Sequence, residues 1–175
     1  MAVGEDAGSS AQSLNAVAVG KTAGQTAQGE ASVAIGLLAG GDNQQDQSVA
    51  IGQFCGQYTQ GTDAVAIGTL AGSLVQSTSS VAVGNECGRY TQGTSAVAIG
   101  NLAGLTNQGS SAVAIGSSAG AGTQGSNGVA IGNTAGFFEQ SGNAVAIGVS
   151  SGQTSQGNNA IAVGQSAGGS NQTTD

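Results

Sequence analysis

Gly36, Gly52, Gly68, Gly84, Gly100, Gly116, Gly132 and Gly148 recur every sixteen residues, and the register reaches back to Gly4 and forward to Gly164. A second glycine comb runs from Gly24 to Gly168 and a glutamine comb from Gln12 to Gln172, all in one phase without insertion or deletion. Such an unbroken period means identical supersecondary units stacked along one axis, each resting on its neighbours. Sixteen residues are too few for a helix-containing repeat, which takes about 20 or more, but they suffice for two short strands and two turns.

Counted from Ser13, the repeat reads x-x-[SN]-A-V-A-I-G-x-x-A-G-x-x-x-Q, as in Gly93 to Gln108. Its fourth to seventh positions alternate small and β-branched side chains, a strand signal of period two. Glycine at position eight marks a bend, where φ is positive or neighbouring coils approach too closely for a Cβ. Glycine at position twelve breaks the return strand. The expected fold is all-β: a parallel β-solenoid, or β-roll, of about eleven coils, forming a single repeat domain over residues 1–175 with partial coils at both ends. Val33, Val49, Val65, Val97, Val113 and Val129 then form one ladder, and Ile35, Ile51, Ile67, Ile99, Ile115 and Ile131 another. Gln28, Gln44, Gln60, Gln76, Gln92, Gln108, Gln124, Gln140 and Gln156 form a third. Its amides are expected to stabilise a turn by donating to the carbonyl of the rung above, as stacked amides do in cross-β structures.

Composition closes off other architectures. Only 3% of residues are aromatic, Trp and Pro are absent, and most of the 38% apolar content is Ala, so a conventional core cannot be assembled. Glycine is abundant at 33 residues, but without a Gly-x-y triplet or proline the chain is not collagen-like. Charged residues are 6% of the chain and the net charge of −7 is carried by isolated side chains such as Asp42, Asp46, Asp63 and Glu139. No basic stripe exists for nucleic acid or anionic lipid. No apolar run approaches the length of a membrane span, and Met1 to Asp6 has neither a basic nor an apolar leader segment, so neither membrane insertion nor an export signal is expected. Met1 stands mid-repeat at a position filled elsewhere by Val, as in the interior of a longer exported protein.

Ordering a coil costs about 1–2 kcal/mol per residue in backbone entropy, whereas burying one Val or Ile returns about 1.5–3 kcal/mol. A rung cannot stand alone, and a lateral surface would add what stacking lacks. Positions four to eight are free of charge in every repeat. The resulting flat face, about 50 Å long at the strand spacing, comprises the Val and Ile ladders together with Ala34, Ala50, Ala66 and Ala98. Strand alternation sends Val and Ile to one side and Ala to the other. Both assignments are open: an outer methyl lattice or an outer β-branched strip. Either is large enough to call for a partner.

Other residues carry weaker signals. Cys55 and Cys87 occupy an alanine column two coils apart, which places their Cα atoms about 10 Å from each other, beyond disulfide reach; they read as buried thiols. Leu37, Phe54, Leu70 and Leu102 lie beside turns as covers. Tyr58 and Tyr90, in the near-duplicates Gly56–Gln60 and Gly88–Gln92, read as further covers or as a receptor or glycan contact. Histidine is absent and the carboxylates are scattered singly, so no catalytic pair, metal site or cofactor is expected and the chain does not read as an enzyme.

Ser32-Val33-Ala34-Ile35-Gly36 and Ser48-Val49-Ala50-Ile51-Gly52, followed by Ala39-Gly40 and Cys55-Gly56, resemble the head repeats of trimeric autotransporter adhesins. Similar Ala-Ile-Gly repeats occur in phage and large-virus tail fibres. The resemblance implies a left-handed parallel β-roll on a cell or virion surface. It would form a homotrimer through one sheet and present the others to a host receptor or glycan. Two other functions fit a regular neutral solenoid: ice binding through the flat face, and a filament subunit stacking end to end through uncapped sheet edges. Val97→Asp is expected to abolish assembly or folding, and Asn101→Asp to be nearly silent; equal tolerance of both in a solubility and melting assay would contradict the assigned faces.

Overall fold

The computed structural model describes residues 1–173, and these form strands, turns and bends without any helix. The chain is a parallel β-solenoid. One strand of each coil belongs to an eleven-stranded front sheet that begins with Ala2–Val3, continues with Val17–Val19 and Val33–Ile35, and ends with Ile161–Val163. Each strand pairs in parallel with the one sixteen residues on, as in Val81↔Val97, Ala82↔Ala98 and Val83↔Ile99. The return strands form a nine-stranded back sheet from Ala27–Gln28 to Thr154–Gln156, extended by the bridges Gln12↔Gln28 and Gln156↔Gln172. Ten complete coils therefore lie between Gln12 and Gln172, with a partial coil before them.

The two sheets enclose a narrow interior. Its walls are Ala18, Ala34, Ala50, Ala66, Ala82 and Ala98 of the front strands and the Ala23, Ala39, Cys55 and Ala71 column, all fully buried. The largest fully buried side chains are glutamines, not hydrocarbons. This settles the open question of the front strands. Val and Ile point outward and Ala inward, so Ala34, Ala50, Ala66 and Ala98 are core residues and do not belong to the flat face. The reason is space. A Cβ added at Gly56 would lie 2.8 Å from Gln60 Oε1 and 3.4 Å from Ala50 Cβ. An interior with no room for that methyl has none for a row of Val and Ile.

Gly52 shows what position eight requires. Its φ is +131°, and a Cβ would lie 2.6 Å from the carbonyl oxygen of Gly68 in the next coil, so both reasons for glycine hold at once. The chain also takes left-handed φ at residues that are not glycine. Phe54 (57°) and Leu70 (58°) stand at position ten, Ser95 (57°) and Asn127 (58°) at position three. That conformation costs about 1–2 kcal/mol for an L-residue. Each is held by an inter-coil backbone bond: Phe54 N–H donates to Leu37 O at 2.9 Å, and Ser95 N–H to Thr78 O at 3.0 Å. At about 0.5–1.5 kcal/mol apiece such bonds offset much of the cost, and they exist only in the stack.

Candidate functional site: an outward face of valine and isoleucine

Outward projection of positions five and seven places Val33, Val49, Val65, Val97, Val113 and Val129 in one half-buried column. Ile35, Ile51, Ile67, Ile99, Ile115 and Ile131 form the second. Ile35 and Ile99 are each 38% exposed, although every neighbour along the column is another β-branched side chain. In-register pairing, exemplified by Val97↔Val113 and Ile99↔Ile115, sets the side chains about 4.8 Å apart along the axis and about 7 Å across it. The result is a ruled strip about 50 Å long with no charged group within it. Its apolar area, on the order of 500 Å², is at the upper end of what a free monomer leaves uncovered.

The glutamine comb is the backing of this strip. Each Gln reaches from the back sheet across the interior to the front strands. Gln60 Nε2 lies 2.7 Å from Val49 O in its own coil, 3.3 Å from Ala64 O in the next, and 3.3 Å from Gln76 Oε1. The same contacts recur from Gln124 to Val113 O at 2.9 Å, to Gly128 O at 3.1 Å and to Gln140 Oε1 at 3.0 Å. The expected turn ladder is thus an internal strut between the sheets, and amide-to-amide contact is only part of it. The ladder skips steps: Gln44, Gln92 and Gln108 have buried Oε1 atoms without a donor. Because the amides hold the carbonyls of the Val strands from inside, they fix the backbone that carries the outer Val and Ile.

Cys55 and Cys87 are free and fully buried, as the alanine column implied. Their thiols donate to the position-eight carbonyls of Gly52 and Gly84 at 3.1 and 3.2 Å, and Ser151 does the same toward Gly148 at 2.9 Å. Burial pushes both thiols up to about 12, against the weaker opposing effect of a backbone hydrogen bond.

On the remaining surface Leu37, Phe54, Leu70 and Leu102 are half-buried covers over the turns. Tyr58 and Tyr90 are not buried: they stand in the bend just before the back strands Thr59–Gln60 and Thr91–Gln92 and keep 46% and 41% of their surface exposed. The Arg89 guanidinium lies 5.1 Å from the centre of the Tyr90 ring and is held by Glu86 at 2.7 Å. Short amide ladders, Asn127 to Asn143 at 3.1 Å and Asn143 to Asn159 at 3.3 Å, run along one corner. The edge-on pair Phe137–Phe138, with ring centres 4.3 Å apart, adds an apolar spot beside Leu105. The Asn ladder was readable from Asn127, Asn143 and Asn159, three successive members of one repeat column. The phenylalanine pair occurs once and has no periodic signal.

No protein-family model, curated protein or solved structure matches the chain.

Proposed function

We propose that this solenoid is a structural and adhesive fibre module, the head or rod segment of a surface adhesin or viral tail fibre, that trimerises through its Val and Ile strip. The observation that carries the reading is the outward projection of two β-branched columns, uncharged over ten coils, while the small side chains turn in. A soluble coil needs only one apolar side, and this one has its interior filled without Val or Ile. The second apolar side is a surface for which water is a poor partner. Three such strips facing a common axis would cover one another along their length and leave the three back sheets facing outward. The Ser-Val-Ala-Ile-Gly repeats resemble those of trimeric autotransporter adhesin heads and support the same arrangement, with an extracellular or virion location.

Light scattering coupled to size exclusion tests it. The expected result is a single species of three times 16.4 kDa. A monomer with thermal hysteresis would transfer the strip to ice binding. A concentration-dependent series of sizes would indicate end-to-end stacking in its place.

A further inference from the structure

The back sheet carries a second regularity, confined to the middle of the chain. Tyr58-Thr59 and Tyr90-Thr91 stand at the same repeat positions two coils apart, and the coil between them presents Leu74-Val75. Back-sheet pairing aligns Thr59 with Val75 and Val75 with Thr91. The two tyrosines are therefore separated by two strand spacings, about 9.6 Å. Between them Leu74 is half-buried while both rings remain over two-fifths exposed. The column is a pair of exposed aromatic rings with the half-buried Leu74 and the 43% exposed Val75 between them, and threonine hydroxyls beside them at the same interval. The Arg89 guanidinium covers one face of the Tyr90 ring at 5.1 Å, so a ligand stacks on the other.

We infer that this column binds an extended, neutral β-1,4-linked glucan strand. In such a strand every second sugar presents the same face, and its disaccharide repeat is close to the two-coil interval. Sugar faces carry axial C–H groups that pack on aromatic rings, with equatorial hydroxyls free to meet Thr59 and Thr91. The intervening sugar would lie over Leu74 and Val75. A net charge of −7 disfavours acidic polysaccharides. The site deepens the adhesive part of the proposed function and rests on it: it stands at the entry to the back strands, on none of the front strands that carry the Val and Ile strip.

The chain offers its own reporter: Tyr58 and Tyr90 are the only tyrosines and Trp is absent. Titration of the full chain with cellohexaose, followed by tyrosine fluorescence, is expected to give a saturable change. Maltohexaose, whose α-linkages curl the strand out of this register, is expected to give none. Tyr58→Ala or Tyr90→Ala should weaken cellohexaose binding by about tenfold, read by calorimetry. The double variant Tyr58→Leu, Leu74→Tyr keeps the composition but sets the rings on adjacent coils, and it should lose binding as well. No saturable response to cellohexaose, an equal response to maltohexaose, or full affinity in the double variant would overturn the proposal. The particle's mass is read separately, so failure here leaves the trimer standing, and a monomer that binds cellohexaose leaves the glucan site standing.

Discussion

Two residue types decide the interior. Gln is the largest side chain there, and it is tolerated because its amide meets carbonyls on two successive coils. Gln92, for example, lies 2.7 Å from Val81 O and 3.2 Å from Ala96 O. Gln92→Leu removes those bonds and forces a bulkier branched side chain into the same narrow space, so it should lower unfolding stability by at least about 1–3 kcal/mol, measured by urea denaturation. Cys55 and Cys87 give a pH signature. Their thiols stay neutral in the folded state to about 12 but ionise near 8.5 when unfolded. The unfolded chain therefore binds fewer protons between those values, and stability falls as pH rises. Below the lower value the thiols contribute no slope. Above it each should remove about 1.4 kcal/mol per pH unit until the folded thiol also titrates. Comparing the parent with a Cys55→Ala, Cys87→Ala variant in pH-dependent denaturation isolates this slope from the other titrating groups. Loss of a pH slope common to both would not count; the difference between them is the predicted quantity.

At the scale of the element, much was legible. The period, the strand at positions four to seven, and the bend at Gly52 and its equivalents all followed from alternation and from the steric demand for glycine. Which side of the strand faced in did not follow, because alternation between Ala and Val is equally regular read from either side. Bulk hydrophobicity alone would have put Val97 and Ile99 inside. The deciding signal lay in another comb: Gly56 has no room for a Cβ beside Gln60 and Ala50, so the coil is too thin for branched side chains. The left-handed conformation of Phe54 and Leu70 was not legible at all. Neither residue type favours it, and the inter-coil hydrogen bonds that impose it are invisible within one repeat. Asn101 illustrates the tolerant positions. It is exposed and donates to Asn85 Oδ1 at 3.0 Å, so Asn101→Asp should change the melting temperature by no more than a few degrees.

The whole molecule is a one-dimensional stack in which each coil touches only its neighbours, so its length should be adjustable in units of the period. Deleting residues 93–108, one full repeat, should leave a folded solenoid with the same circular dichroism per residue. Deleting 93–100 puts glycine and glutamine out of phase and should break the stack at that coil, lowering both the melting temperature and the circular dichroism per residue. Equal behaviour of the two deletions would contradict a register-locked coil. The strip of Val and Ile scales with the same length, and so does its apolar area. In the proposed trimer a shorter stack should therefore hold the other copies less tightly without any change in the contact made by each coil.

Sedimentation velocity of Val97→Asp tests the central claim most directly, because Val97 lies at the middle of the strip and its side chain points away from the coil. If the proposed trimer forms, the parent should sediment at three times 16.4 kDa, and the charge should break the contact between chains and spare the fold, giving a compact single-chain particle of 16.4 kDa. A parent that sediments as a single chain, or a variant of unchanged assembled mass or expanded as an unfolded chain, would contradict an outward face built for a second copy.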